Sequence, residues 1–144
     1  MQDHIPVAIR EITEVIAIIL TALKRVEGGD SALSSEECLA FQRIQNICYG
    51  NSLPRSLQSY IITTIGTGIA DSQTAYADKG RRPFAHTIGR FLNNKNNKES
   101  RIAMASELTP TFLQIRKGFA SFEEVSQEDY FPPRLTPQLA SFRL

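Results

Sequence analysis

Histidine and cysteine are nearly absent from this chain, which holds two of each. That scarcity argues against the common metal chemistries, because a zinc site gathers three or four His, Cys, Asp or Glu ligands. His4 lies near the start and His86 in a basic stretch, each without a second ligand at metal-binding spacing. Cys38 and Cys48 stand ten residues apart on one predicted helix. That is about 15 Å along a helix axis, whereas a disulfide needs Cα atoms within about 4.4–6.8 Å. Both thiols are expected to be buried and structural, in a reducing, cytoplasmic setting. No metal and no cofactor is expected.

Long apolar runs are missing too. The longest uncharged stretch of the first helical segment is 15–23, too short for a membrane span, which needs about 20 apolar residues. Acidic residues precede that stretch and no convincing cleavage site follows it, so it does not read as a signal peptide. Net charge is only +1, so attraction to a polyanion has to come from local clustering. No segment alternates with period two for long enough to be a strand, and no repeat recurs at a fixed spacing. The string Gly66-Thr67-Gly68 lacks the preceding strand and following Lys-Ser/Thr of a phosphate loop. The acidic residues Glu36, Glu37, Glu123, Glu124, Glu128 and Asp129 show no pairing that calls for burial, and Cys38 has no evident base. A catalytic role is therefore not expected.

What is present is helical periodicity. In 5–27, Ile9, Ile12, Ile16, Ile19, Leu23 and Val26 recur at alternating spacings of three and four, with Val15, Ile18 and Ala22 in a second row. So wide an apolar face needs several partners, and this helix is expected to be the central strut. Gly28-Gly29-Asp30 ends it. Ser34 with Glu37 reads as a capping box, opening a helix that buries Ala40, Phe41, Ile44, Ile47 and Cys48 and stops at Gly50. A third helix begins around Pro54 and carries Leu57, Ile61, Ile65 and Ile69. Gly66 and Gly68 interrupt it, and close packing of Gly66 and Ala70 on one face is preferred to a kink. A fourth helix starts near Pro83 with Phe84, Ile88, Phe91 and Leu92 inward. After the polar turn 93–97, a fifth helix runs to Leu108. Thr109-Pro110 is read as the cap and first position of a sixth, carrying Phe112, Ile115, Phe119 and Phe122. The fold expected is all-α, a single-domain bundle of five to six helices over 1–129. A Pro-rich, apolar tail follows over 130–144, with a possible short terminal helix.

Charge is uneven in one place. Segment 79–101 holds Lys79, Arg81, Arg82, Arg90, Lys95, Lys98 and Arg101 against Glu99 alone, a net +6, so the other 121 residues sum to −5. At 100° per residue, Arg82, His86 and Arg90 fall within about 80° of arc. Phe84, Ile88 and Phe91 centre on the opposite side. The pattern predicts one buried face and one basic ridge. No side-chain cap precedes Pro83, so the helix start beside Arg81 and Arg82 is a further place for a phosphate, and Asn93, Asn94, Asn96 and Asn97 add neutral donors. The alternative is a solvated face that binds nothing anionic. Without a helix-turn-helix, zinc-finger or RNP pattern, any nucleic-acid contact is expected on the backbone rather than on base edges.

In architecture alone, a small, motif-free, all-helical chain with one basic face resembles the small subunits of RNA-guided CRISPR effector complexes. That resemblance implies a non-catalytic subunit of a nucleoprotein assembly, packed beside other protein subunits and holding DNA or RNA backbone through Lys79, Arg81, Arg82, His86, Arg90, Lys95, Lys98 and Arg101. The rival expectation is a protein-only adaptor, chaperone or immunity-type module. It binds through apolar surface and through the tail residues Tyr130, Phe131, Leu135, Leu139 and Phe142. Neither reading involves a membrane.

Overall fold

The computed structural model describes residues 4–50, 55–74 and 80–130, with side chains for 9–50, 58–74 and 80–121. Five helices are described: α1 (His4–Glu27), α2 (Ser35–Cys48), α3 (Arg55–Asp71), α4 (Arg81–Asn93) and α5 (Lys98–Tyr130). No strand occurs among the described residues. The all-α expectation of five to six helices holds, with five among the described residues. Pro54, Lys79 and the tail residues Phe131, Leu135, Leu139 and Phe142 lie outside the described residues. Tyr130 is the last residue of α5, one position past the expected bundle boundary.

The alternating seam of α1 is buried along its described length, from Ile9 to Val26. Val15 and Ile18 of the second row are only half-buried, while Ala22 is fully covered. Helix α1 packs against α2 and α5, and α5 touches α1, α3 and α4. The element that joins the bundle is therefore α5 as much as α1. Phe112 of α5 meets Phe41 of α2 edge-on at 6.1 Å and Phe84 of α4 at 5.4 Å. Phe41 also lies 5.2 Å from Phe91 of α4. These rings tie three helices at one point, since aromatic pairs at such distances add attraction beyond their buried area.

Thr109-Pro110 does not divide two helices, because α5 continues through Pro110. A proline inside a helix loses one backbone hydrogen bond and crowds the preceding turn, a cost of about 3 kcal/mol. Tertiary burial outweighs it. Ala105, Leu108, Phe112, Ile115 and Phe119 are all buried and keep one unbroken three-four phase across the proline. A break there would lift part of that seam off the core. The Thr109 hydroxyl is within hydrogen-bond distance of the Ala105 carbonyl (2.8 Å) and of Glu27 Oε2 (2.5 Å), rather than capping a new helix.

Helix α3 is continuous through Gly66 and Gly68, so the glycines do not break it. The close approach belongs to Gly68, whose missing Cβ would stand 2.6–2.9 Å from Ile115 of α5. Gly66 meets nothing within 4 Å and Ala70 is exposed, so the expected Gly66–Ala70 contact is not the one used.

The capping box of α2 is present in both halves. The Glu37 N–H donates to Ser34 Oγ at 3.1 Å, and the Ser34 N–H to Glu37 Oε1 at 2.9 Å. Glu37 does more than cap, which corrects the expectation that no acid is buried. It is buried and takes a bidentate pair from Arg25 at 2.5 and 2.8 Å. Arg25 also donates to the Ala32 carbonyl and lies 3.4 Å from Asp30, closing the α1–α2 loop. The Arg25 hydrogen bond holds the Glu37 carboxyl down at about 2, from an ordinary 4.5. A depressed carboxyl stabilises the fold above its unfolded pKa and loses that contribution as pH falls through the folded one. Glu37→Gln is therefore expected to cost about 1–2 kcal/mol at neutral pH. In urea titrations, its deficit against the parent should shrink steadily between pH 4.5 and about 2.

Candidate nucleic-acid interface

Helix α4 begins at Arg81, two residues before the expected start, behind Gly80. Gly80 has φ +86°, a conformation open to glycine at little steric cost. No side chain caps this end. The Phe84 N–H donates to the Gly80 carbonyl at 3.3 Å. Pro83 has no N–H, so the Arg81 and Arg82 amides are the orphan donors of the first turn.

The two faces of α4 separate as its spacing predicts. Phe84, Ile88 and Phe91 are completely buried, and Arg82, His86 and Arg90 are exposed. Arg82 and Arg90 are about 12 Å apart along the axis, the rise of three to four nucleotides in a B-form strand at about 3.4 Å each. Helix α2 runs antiparallel beside α4, fixed by Gln45 Nε2 donating to the Ala85 carbonyl at 3.2 Å and Arg81 Nη1 to the Cys48 carbonyl at 3.1 Å. Tyr49, just past α2, lies under the Arg82 guanidinium, 6.0 Å from ring centroid to Cζ. That places an aromatic ring next to the ridge.

The remaining basic residues divide sharply. Lys95 and Lys98 are exposed. Neither they nor Arg82 and Arg90 form an ion pair among the described residues, where the pairs are Arg25 with Asp30 and Glu37, and Arg43 with Glu11. Arg81 is half-buried and committed to its carbonyl partner. Arg101 is only 5% exposed and does not stand on the ridge. Its Nε donates to the Phe91 carbonyl at 3.1 Å, Nη2 to that of Leu92 at 2.9 Å and Nη1 to that of Ser31 at 2.7 Å. It also lies over the Phe91 ring at 5.3 Å. A guanidinium suits this place because the last carbonyls of α4 are orphan acceptors at the negative end of its dipole. Charge counting along the sequence cannot separate such a clamp from a surface cation.

Two of the turn asparagines also serve the fold. Asn97 Oδ1 accepts the Ser100 N–H at 3.0 Å and caps α5, and Asn94 Nδ2 donates to Ser100 Oγ at 2.6 Å. Asn93 and Asn96 remain exposed.

The cysteines differ as well. Both are free; Cys48 is buried, and desolvation pushes its thiol up to about 12. Cys38 is half-exposed instead of buried as expected. Among the described residues no group of three His, Cys, Asp or Glu gathers at metal-binding distance. No helix of the described residues is long and apolar enough to cross a membrane.

Comparison with family models, with curated proteins and with solved structures returns no match to this chain. What fold and surface define is a class: an all-helical bundle with an exposed cationic ridge that forms no ion pair among the described residues.

Proposed function

We propose that this chain is a non-catalytic helical subunit of a nucleoprotein assembly, holding nucleic-acid backbone through α4. The observation that carries the reading is the exposed stripe of Arg82, His86 and Arg90 opposite a fully buried apolar face. Two of its three members are guanidiniums without a carboxylate among the described residues, and guanidinium suits phosphate through its planar fork of donors. Tyr49 beside Arg82 supplies a ring on which an unstacked base can lie. Lys95 and Lys98 extend the charge beyond the end of α4, whereas Arg101 contributes to the fold. The architectural likeness to small subunits of CRISPR effector complexes agrees with this reading but does not carry it.

Affinity for a labelled single strand or duplex should fall linearly in log–log form with salt. If Arg82, Arg90 and Lys95 each neutralise one phosphate, the slope is about −2 for a single strand and about −3 for a duplex. Arg82→Glu with Arg90→Glu should weaken binding at least about tenfold and flatten the duplex slope by about 2. Because both side chains are exposed, the helical circular dichroism should be unchanged. Parent-like binding by that double mutant would overturn the assignment of the ridge.

A second reading, a protein-only adaptor, is favoured by a different observation. Leu39 of α2 is 64% exposed beside an open hollow of about 410 Å3 that Val15, Ile18 and Ala40 help line. Exposed apolar surface of this kind often marks a protein contact. No nucleic-acid binding even at low salt would turn the assignment toward it.

A further inference from the structure

Beyond the C-terminal end of the ridge, the α1–α2 loop, the first turns of α2 and the α4–α5 turn surround a hollow of about 710 Å3. Its walls include Ser31, Ser35, Cys38, Gln42, Lys95 and Arg101, and no Asp or Glu among the described residues lines it. Lys95 is exposed and forms no ion pair among the described residues. Arg101 is buried and equally without a carboxylate partner among the described residues. Its guanidinium has five N–H donors, of which three go to the carbonyls of Phe91, Leu92 and Ser31. Two donors are left over. The α4 carbonyls compensate only about half a unit charge, and a buried charge lacking its counter-charge is costly. Desolvation accordingly pulls the Arg101 pKa below its ordinary value.

We propose that this hollow binds a phosphate group, with Arg101 and Lys95 supplying charge and Ser35 and Gln42 neutral hydrogen bonds. The four groups come from α2, α5 and the turn before α5, so three separate elements contribute polar groups to one hollow. The volume leaves space for the molecule that carries the phosphate. That carrier is either a small phosphorylated compound or the phosphorylated end of a nucleic-acid strand. The proposal does not depend on the ridge, because inorganic phosphate tests it without nucleic acid.

Cys38 supplies the reporter. It lines the hollow and is half-exposed, whereas Cys48 is buried with its thiol held protonated. Iodoacetamide should therefore alkylate Cys38 alone in the folded chain. Inorganic phosphate should slow that reaction along a saturation curve, about elevenfold at ten times Kd, as the free fraction falls. Chloride at the same ionic strength should not. Lys95→Glu should abolish the protection while leaving the unfolding midpoint unchanged. Phosphate acting no better than chloride, or full protection persisting in Lys95→Glu, would overturn the proposal. A 5′-phosphorylated oligonucleotide that protects at lower concentration than inorganic phosphate, with its 5′-hydroxyl counterpart inactive, supports a strand end as the source. Protection by inorganic phosphate alone supports a small phosphorylated compound. If the ridge reading fails, the 5′-hydroxyl oligonucleotide shows no salt-dependent binding, yet phosphate still protects Cys38.

Discussion

Arg101→Leu is expected to destabilise the protein by about 3–5 kcal/mol, although a net-charge argument would rank it with the surface cations around it. Three hydrogen bonds from a charged donor are lost, each worth about 1.5–3 kcal/mol net. Part is recovered because the guanidinium no longer has to be desolvated and water reaches some of the freed carbonyls. Those carbonyls belong to Phe91, Leu92 and Ser31, so one change loosens the end of α4, the start of α5 and the α1–α2 loop together. Arg101→Lys should recover only part, because an ammonium has three donors in a tetrahedral arrangement and cannot reproduce the planar fork. Lys98→Leu is the control; as an exposed residue without an ion pair among the described residues it should change stability by about 0.5 kcal/mol or less. Urea denaturation of the three variants checks the set. Equal midpoints for Arg101→Leu and Lys98→Leu would show that the clamp contributes nothing.

Gly68→Val is expected to cost about 3 kcal/mol, near the upper end of overpacking penalties. A Cβ at Gly68 would stand 2.9 Å from both the backbone N and Cα of Ile115 and 2.6 Å from its Cγ1. Backbone atoms cannot rotate away as the end of a long side chain can. Helices α3 and α5 would have to separate, uncovering Ile65, Ile69 and Ile115, which are buried now. Gly66→Val tests the cause, since it lies in the same helix and meets nothing within 4 Å. Replacing that glycine should be neutral or slightly stabilising, because glycine weakens a helix interior. Thermal unfolding should therefore separate the two variants by roughly 10 °C or more for a domain of this size. Similar midpoints would mean that the α3–α5 approach is looser than described.

The local elements of this protein were legible residue by residue. The spacing of Ile9 through Val26 marked the buried stripe of α1, and Ser34 with Glu37 marked the start of α2. Phe84, Ile88 and Phe91 opposite Arg82, His86 and Arg90 marked both faces of α4. Each is a short-range property, set by the 3.6-residue turn and by groups three or four positions apart. The ridge was legible for the same reason. Its counter-example, Arg101, was not: its partners include Ser31, seventy positions away, and such a contact leaves no trace in local spacing. The Arg25–Glu37 pair, twelve positions apart across a loop, was missed on the same ground.

Pro110 is the clearest division between the two levels. Sequence alone determined that Phe112, Ile115 and Phe119 share one face and that a proline stands just before them, which was read as the boundary between two helices. Whether the proline ends the helix was a competition between a local cost of about 3 kcal/mol and burial of the seam. Only packing against α1, α3 and α4 decides that contest, since a single buried phenylalanine is worth about as much as the proline costs. Sequence likewise determined that Gly68 lacks a side chain, and only the path of α5 made that lack necessary. Helical phase is thus written in the chain itself. The fate of a proline, a glycine or an arginine depends on neighbours brought in from elsewhere, because close packing and desolvation act between surfaces that meet only in the folded molecule.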